Sequence, residues 1–347
     1  MARARKSRES VRAEVNRVAK QLVEDVLTPM IEEGATPEWA KPWSGILGPT
    51  SVATGNPYRG RNRVMLMYYG RDYEAPLWLT FKRALNLSKQ YAEEKGETHA
   101  AKKDDGGAYY GIKAGETGQV IFKPYTRRFK KTVDEGTPDE RDVVSTWVEF
   151  TLDKVWNVSQ TSLPLEWVKE KMSLPEQPNV CDGSDFDETL AWIQNVMPEL
   201  TLTVSEQDRA FYSPSEDRMQ VPPASAYTSP ERMSEVLIHE AIHATGHGKR
   251  LARPGITANP MMRSKLAYAV EEVTAELGAS LYCQMTGLPH DAANHAEYIQ
   301  GWAKAVHDAE NATEVMLRVI DDASKAVEWL MGGPLEGTPE GDRAASE

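Results

Sequence analysis

The most regular pattern of apolar and polar positions lies near the start of the chain. Over residues 7–33, branched apolar side chains recur three or four positions apart, which places them on one face of a helix. Gly34 follows, and glycine commonly ends a helix. The pattern predicts one long amphipathic helix with its apolar face formed by Val11, Val15, Val18, Leu22 and Val26.

Two further helical patterns lie in the second half of the chain. Residues 228–230 (TSP) offer cap residues with a proline for the first turn, before an apolar stripe of Met233, Leu237, Ala241 and Ala244. A second helix is predicted over residues 265–285, with an apolar side formed by Val270, Val273, Leu277 and Leu281.

Shorter patterns complete the prediction. Alternation of apolar and polar residues predicts strands at residues 120–122, 147–152, 201–204, 208–212 and 218–221. The basic residues 127–131 followed by the acidic run 134–142 predict a hairpin or a mobile loop. Helices are predicted at residues 186–198, 293–308 and 311–331. A strand such as 218–221 beside a metal-binding helix is a place where an extended peptide could add to the sheet.

Mixed helices and strands over 347 residues predict an α+β protein of two domains. The predicted division is a first domain at 1–165, a linker at 166–185, a second domain at 186–331 and a disordered tail at 332–347. No apolar stretch follows the basic N-terminus and no apolar run of 18 residues occurs, so we expect a cytoplasmic protein without a membrane partner. Cys181 and Cys283 predict neither a disulfide framework nor a cysteine metal site, and Cys283 is expected in the core.

Charge is distributed unevenly between the two halves. The net charge is −12, but residues 1–165 carry 26 Lys and Arg against 22 Asp and Glu, and the remainder carries 14 against 30. Phosphates would be repelled by the acidic half, so nucleic acid is not expected to lie across it. Any nucleic-acid site should instead rest on local basic clusters in the first half.

The candidate chemistry lies within residues 239–243 (HEAIH), which match the HExxH motif of zincin metallopeptidases. Four residues apart on a helix, His239 and His243 project from one face and can reach one metal ion. Catalytic zinc keeps an open position, and a neighbouring carboxylate takes a proton from the bound water, a role that falls to Glu240. Chance matches to this pentad are common, and the alternative is a solvated helix face.

The later acidic residues supply the third ligand in this interpretation. Glu272 and Glu276 lie one turn apart on the predicted helix 265–285. Glu272 is taken as the third ligand, and Glu276 as a group outside the ligand shell that orients a histidine ligand. Glu271 remains an alternative for either role, and solvation of the helix is the alternative for all three. In HExxHxxGxxH proteins the third histidine ligand comes six residues after the second, a position that Lys249 occupies here. His247 comes two residues before that position, so it is assigned outside the ligand shell or simply to the helix end.

Aromatic and basic residues are interleaved through the first half. Bases of single-stranded nucleic acid stack on aromatic rings while cations follow the backbone. Trp78, Phe81 and Phe122 are assigned to the core instead. The predicted single-stranded DNA contacts are Trp39, Trp43, Tyr58, Arg59, Arg61, Arg63, Lys82, Lys113, Lys123, Tyr125, Arg127 and Arg128.

An ordered set of motifs makes the chain resemble the ArdC-type antirestriction proteins, whose first domain is shared with TraC-type primases. The matching pieces are residues 39–43 (WAKPW), 54–60 (TGNPYRG) with Asn62, 78–81 (WLTF), 113–118 (KAGETG), 155–160 (VWNVSQ), 210–217 (AFYSPSED), 239–247 (HEAIHATGH), 250–253 (RLAR) and 271–279 (EEVTAELGA). The chain departs from the family pattern at Ala114 and in the acidic insert at 134–142.

This resemblance implies a single-stranded-DNA-binding domain followed by a zinc-metallopeptidase-like domain that protects incoming plasmid or phage DNA from restriction. Two alternatives stay open: a DNA-binding protein with a structural metal and no proteolysis, and an IrrE-like regulatory metalloprotease stimulated by single strands and acting on a protein substrate. Zinc is the default ion, although other divalent transition metals suit the ligands. The oxyanion donor is left open among Tyr212, Tyr227, Tyr268 and His247.

Overall fold

The computed structural model describes residues 7–37, 48–100, 106–133, 141–172, 180–181, 185–207, 209–258, 264–288 and 296–332. Several predicted features lie outside these residues. They are Trp39, Trp43, most of the acidic run 134–142, much of the predicted linker and nearly all of the predicted tail.

The first half is a helix followed by a mixed α/β unit. Its helices are α1 (Arg8–Glu32), α2 (Gly60–Tyr69), α3 (Phe81–Glu94) and α4 (Leu165–Glu170), and its strands are β1 (Thr50–Ser51), β2 (Leu77–Leu79), β3 (Gln119–Val133) and β4 (Arg141–Asn157). The Ser7 hydroxyl accepts the Ser10 N–H at the start of α1, and Gly34 takes a φ of +64° just after its end. The predicted first helix is therefore confirmed.

A four-stranded sheet in the order β1-β2-β4-β3 organises this half. β3 and β4 form a long antiparallel hairpin, paired from Gln119 with Val155 to Val133 with Arg141. The side-chain amide of Asn62 fixes α2 to the hairpin: it donates to the Phe122 carbonyl at 2.7 Å and accepts the Phe122 N–H at 2.8 Å. The two predicted strands are confirmed, and the basic segment 127–131 belongs to β3.

The second half contains helices α5 (Phe186–Val196), α6 (Pro230–Thr245), α7 (Pro254–Thr257), α8 (Lys265–Thr286), α9 (Ala296–His307) and α10 (Ala312–Gly332). Its strands are β5 (Thr201–Val204), β6 (Phe211–Ser213) and β7 (Arg218–Val221), in the sheet order β5-β7-β6. β7 is paired on both sides, so the prediction that it could receive a peptide is wrong. The edge strand that contacts α6 is β6.

Helices α6 and α8 approach closely because a glycine lies at their contact. A Cβ on Gly278 would meet the Ile242 side chain at 3.0 Å, so a larger residue would require the Ile242 side chain or the helices to shift. Ser229 caps α6 by accepting the Arg232 N–H, with Pro230 in the first turn, and the helix ends before Gly246. This packing sets the distance between the side chains that the two helices direct at each other.

One hydrophobic core joins the two halves. Buried residues of α1, such as Leu22 and Val26, belong to the same cluster as Leu277 of α8 and Val319 of α10. Residues of α2 and Phe122 of β3 also belong to it. The two domains therefore share apolar contacts rather than meeting only through a linker.

Several elements differ from the sequence expectation. Helices α2 and α3 were not predicted, and α4 lies where the linker was expected to begin, with its Trp167 indole donating to Glu94 at 2.7 Å. Trp78 and Phe122 are buried as predicted, but Phe81 is 53% exposed, so its assignment to the core is wrong. Cys283 is buried in the core, as predicted.

None of the helices in the described residues combines the length and apolar composition needed to cross a membrane.

Candidate functional site

Two imidazoles and a carboxylate converge between α6 and α8. The Nε2 atoms of His239 and His243 lie 3.1 Å apart. One oxygen of Glu272, Oε2, lies 3.7 Å from Nε2 of His239 and 3.5 Å from Nε2 of His243. Within the described residues these three form the group with the geometry to hold a metal ion.

The other ring nitrogens of the two histidines face carboxylates. Nδ1 of His239 lies 3.3 Å from Oε2 of Glu276, and Nδ1 of His243 lies 3.1 Å from Oε1 of Glu271. Each carboxylate favours a proton on Nδ1, which leaves the Nε2 lone pair directed at the common point. The structure thus gives Glu271 and Glu276 separate positions, each behind a different histidine.

Charge coupling inside this cluster shifts its pKa values strongly. Burial would lower the pKa of His243, but Glu271 and Glu272 outweigh it and raise that pKa to about 9. Burial is likewise outweighed at His239, where Glu272 and Glu276 raise the pKa well above its usual value. Burial opposes ionisation of Glu272, yet both imidazoles hold its pKa far below the usual range. The Glu272 carboxylate is therefore anionic and able to neutralise a cation, which on binding would displace the Nε2 protons that the raised histidine pKa values favour.

Arg253 supports this cluster from behind. Its guanidinium lies 2.5 Å from Oε1 and 3.1 Å from Oε2 of Glu271, and it also donates to the Ile242 carbonyl at 2.8 Å. A Cβ on Gly246 would lie 2.9 Å from that guanidinium, so the absence of a side chain there makes room for it. Arg253 was not among the predicted site residues, because nothing in its spacing from His243 indicates a contact.

The donor set fits a divalent transition metal. Ligand atoms 2.0–2.2 Å from a tetrahedral zinc lie about 3.3–3.6 Å from one another, close to the separations among these three residues. Imidazole nitrogens with one carboxylate oxygen also match the ligands of catalytic zinc sites. The residues present therefore fit the implied ion.

A cavity of about 360 Å³ opens beside the cluster, and Glu240 lies on its wall next to His239. Tyr227 also lines the cavity, and its buried hydroxyl has no hydrogen-bond partner among the described residues. Burial, with a smaller contribution from Glu240, raises the pKa of Tyr227, so the phenol stays protonated. Deeper on the same wall, burial raises the pKa of Glu235 to about 7, although Arg232 lies 2.9 Å from one of its oxygens.

His247 lies apart from the metal cluster, just beyond the end of α6, which agrees with the helix-end alternative rather than with a position just outside the ligand shell. Its Nδ1 is 3.5 Å from Oδ2 of Asp217 and 3.3 Å from the Lys249 N–H. Asp217 also pairs with Arg250 and accepts the Tyr212 hydroxyl at 2.9 Å. This group fastens the β6–β7 turn to the end of α6.

The β3–β4 hairpin presents the predicted aromatic and basic residues on its outer part. Cross-strand pairing puts Tyr125 opposite Glu149 and Arg127 opposite Trp147, so these four side chains share one face. Tyr125 and Trp147 are 39% and 40% exposed, and both donate to Glu149. Trp147 was predicted only as a strand residue, although its alternation with Glu149 could have placed it on this face.

The other predicted hairpin contacts are distributed over both faces. Lys123 lies on the Tyr125 face, 3.8 Å from Asp153, while Arg128 is exposed on the opposite face. Away from the hairpin, Lys82 is exposed beside Phe81, and the Lys113 ammonium donates to the Ser159 carbonyl at 2.9 Å.

The arginines near α2 face the second domain rather than solvent. Arg61 pairs with Asp321 and its guanidinium lies 4.8 Å from the Phe150 ring centre. Arg63 is 3% exposed and lies 3.1 Å from Glu328. Both arginines belong to the contact between α2 and α10. Their predicted role as DNA contacts is therefore wrong.

Tyr58 and Arg59, just before α2, also differ from that prediction in part. Tyr58 packs against Leu66, Trp78 and Val155, so its ring is not free to stack on a base. Arg59 is half-buried at the start of the helix. Arg61, Arg63 and Tyr58 were assigned to DNA because the residues that they contact in the structure are remote in sequence.

Two domain families match the chain. Residues 16–155 match the N-terminal domain of the anti-restriction factor ArdC, and residues 191–315 match a zincin-like metallopeptidase domain. The second match contains His239, Glu240, His243 and Glu272, and the first contains β3 and all of β4 except its last two residues.

Individual proteins are similar to the chain over most of its length. The chain is 26% identical to DNA primase TraC of Escherichia coli over 328 residues, which is 92% of this chain but only 27% of that relative. A metal-free crystal structure of the antirestriction protein ArdC from plasmid R388 superposes with a TM-score of 0.59 at 25% identity, covering 90% of this chain and 96% of that one. The Mn(II)-bound crystal structure of that protein gives a TM-score of 0.56 at 23% identity over the same shares.

Proposed function

The chain belongs to the ArdC-type antirestriction proteins, with an ArdC N-terminal domain and a zincin-like domain, and from this premise we propose its function. We propose that the chain binds single-stranded DNA and carries a zinc metallopeptidase site. We further propose that it protects incoming DNA from restriction. The observation that carries this proposal is the convergence of His239, His243 and Glu272, with both Nδ1 atoms engaged by separate carboxylates. A surface helix with unrelated polar residues would not need these supporting contacts.

His239, His243 and Glu272 would hold the ion. Zinc is the ion that this ligand set holds in most catalytic sites, and the solved Mn(II)-bound relative supports a divalent ion in general. When bound, a divalent ion polarises a carbonyl and makes water more acidic. Glu276 and Glu271 keep the Nδ1 protons in place, and Arg253 holds Glu271 in position.

Glu240 is the general base of the proposed peptidase. It follows His239 directly on α6 and faces the cavity, where it can take a proton from the attacking water and return it to the leaving amine. Tyr227 is the favoured oxyanion donor among the four candidates, because its protonated hydroxyl lines the same cavity and has no partner in the described part of the chain. By contrast, the Tyr212 hydroxyl is engaged by Asp217.

DNA binding is assigned to the outer part of the β3–β4 hairpin. Tyr125 and Trp147 offer exposed rings for bases, and Lys123 and Arg127 on the same face offer charge for phosphates. The second half of the chain is net negative and would repel the phosphates of the bound DNA strand, which keeps the DNA away from the peptidase cavity. Protection of the strand could follow from coating, from proteolysis, or from both.

One paired experiment separates these contributions. Glu240→Gln removes the base without changing the three metal ligands, so zinc content and oligonucleotide affinity should match wild type while peptide cleavage falls by at least about a hundredfold. Restriction protection is scored in cells carrying each form. Loss of protection supports a peptidase role, and full protection by Glu240→Gln would reject that role in favour of coating with a structural metal.

The hairpin receives its own test. Removing one stacking ring should weaken binding of an oligo(dT) strand by about tenfold, as measured by fluorescence anisotropy for Trp147→Ala and Tyr125→Ala. Arg71→Ala, an arginine whose guanidinium covers Tyr68 away from the hairpin, serves as the matched control. Unchanged affinity in both ring variants would reject the hairpin as the binding surface.

A further inference from the structure

Three aromatic rings lie beside the metal-site cavity and are not used by the proposed chemistry. Trp302 of α9 lines the cavity together with His239 and Glu240. Its ring centre lies 5.9 Å from that of Tyr298 and 6.4 Å from that of Tyr268. We name Tyr268, Tyr298 and Trp302 the aromatic platform.

The platform is exposed and continuous with the cluster of metal-binding side chains. Tyr298 is 67% exposed and Tyr268 is 46% exposed. Tyr268 precedes Glu272 by four residues on α8, so both side chains project from the same face of that helix. A group resting on the platform would therefore lie next to any group held at Glu272.

Apolar side chains form about half of the wall of the cavity between platform and cluster. Ala210, Pro222, Ala226 and Val236 line it with the rings of Tyr227 and Trp302. A volume of about 360 Å³ lies in the range of sites that enclose a small molecule or a large side chain. Apolar walls favour an apolar guest, and an edge-on or offset aromatic ring adds a favourable contact with Trp302.

The charges around the cavity favour a polypeptide over a nucleic acid as the occupant. Glu235 and Glu240 lie on its wall, and Glu272 and Glu276 lie immediately behind. Two arginines also line the cavity, Arg209 and Arg232, and Arg232 is paired with Glu235. The four carboxylates therefore outnumber the two arginines. A phosphate backbone would be repelled there, whereas a peptide backbone brings no net charge to the site.

We propose that the aromatic platform and the adjoining cavity select polypeptide substrates with a large apolar or aromatic side chain next to the bond to be cut. This inference deepens the proposed peptidase function and rests on it for the meaning of the cut bond. The recognition itself depends only on Tyr298, Trp302 and the cavity wall, so it can be measured without cleavage.

The test uses full-length, zinc-loaded Glu240→Gln protein, which should bind peptides without cutting them. The immobilised protein is incubated with a peptide pool randomised at every position, and the retained peptides are sequenced by mass spectrometry. We expect Phe, Tyr, Trp and Leu to be enriched about tenfold over Ala at one position, the range that an apolar pocket gives. Adding Tyr298→Ala or Trp302→Leu should reduce that enrichment to about twofold or less, while Tyr298→Phe should keep it.

The outcomes separate the two proposals. Enrichment that stays about tenfold in Tyr298→Ala and in Trp302→Leu, or that is absent with the ring residues intact, overturns the platform as a specificity site. Displacement of the retained peptides by oligo(dT) overturns it in favour of a nucleobase site. Enrichment that depends on the rings while wild-type protein cuts no member of the same pool supports the platform and rejects the peptidase function.

Discussion

Glu276 is the residue on which the orientation of His239 depends most directly. It is 1% exposed, and its Oε2 lies 3.3 Å from Nδ1 of His239. Glu276→Gln keeps the size but weakens the hold on the Nδ1 proton, so we expect the affinity for zinc to fall by about 10- to 100-fold. Competition with a fluorescent chelator measures this. The exposed Glu310→Gln is the control, and equal affinities in the two variants would contradict the role given to Glu276.

Asp217 is the anion that pairs with the buried guanidinium of Arg250, whose side chain is 2% exposed. Asp217 has a φ of +46°, a conformation that asparagine tolerates, so Asp217→Asn removes charge with little change of backbone. An unpaired buried arginine should cost about 3 kcal/mol of unfolding free energy at pH 7, as measured by urea denaturation.

The pH dependence gives this prediction a sign. Burial opposes ionisation of Asp217, but Arg250 and Tyr212 outweigh it and hold the pKa below the ordinary value of 3.8. A lowered pKa in the folded state means that the stabilisation is present above 3.8 and is lost as the pH falls through the folded-state pKa. The difference between wild type and Asp217→Asn should therefore narrow in acid. A constant difference would mean that packing, rather than charge, is responsible.

At the scale of elements, the contact between α2 and α10 depends on a buried ion pair. Arg63 is 3% exposed, its partner Glu328 has a side chain that is 11% exposed, and Arg63 also donates to the Tyr58 carbonyl. Arg63→Met leaves Glu328 without its cation, and we expect a loss of about 3 kcal/mol in the unfolding free energy. The double variant Arg63→Met with Glu328→Met should recover much of it.

The matched control for this pair is Arg59→Ala, four residues earlier and half-buried at the start of α2. A change there should stay within about 0.5 kcal/mol. If Arg59→Ala lowered the unfolding free energy as much as Arg63→Met, Arg59, Arg61 and Arg63 would act through their total charge rather than through the contact with α10.

The sequence predicts those elements in which polar residues interrupt the apolar ones at a regular spacing. α1 is exposed on one side, so its periodicity is visible, as is the alternation in β3 and β4. α6 and α8 are buried on most sides, but polar residues such as His239, Glu272 and Glu276 recur at helical spacing between their apolar positions. α2 is different, because Val64, Met65, Leu66 and Met67 are all buried and form a continuous apolar run without helical period. α3 did carry a signal, with Thr80 as its cap and Leu87 among its buried residues, but its neighbouring aromatic and basic residues favoured a binding stretch.

The same distinction holds for the candidate site. His239, Glu240 and His243 were identifiable because their spacing is local to one helix. Glu272 and Glu276 could be proposed from their own helical spacing, yet only the packing of α6 on α8 distinguishes them from Glu271. Arg253 and the partners of Arg61 and Arg63 were not identifiable, because those contacts join segments that the fold alone brings together.

At the scale of the whole molecule, the shared core implies that the metal site and the first domain are stabilised together. α1 packs against α9 and α10, and α2 packs against α10, which in turn packs against α8. An ion bound between α6 and α8 should therefore protect helices that do not touch it. Free zinc at about 100 times its dissociation constant adds about 2.7 kcal/mol to the unfolding free energy of everything that unfolds with the site.

Hydrogen exchange measured with and without a chelator tests this coupling. We expect removal of the metal to raise exchange rates in α6 and α8 and, because the core is continuous, in the buried turns of α1 and α2 as well. The exposed residues 144–148 of β4 lie outside that core and should exchange at the same rate in both states. Faster exchange confined to α6 and α8 would mean that the two domains unfold independently, in spite of the apolar contacts between them.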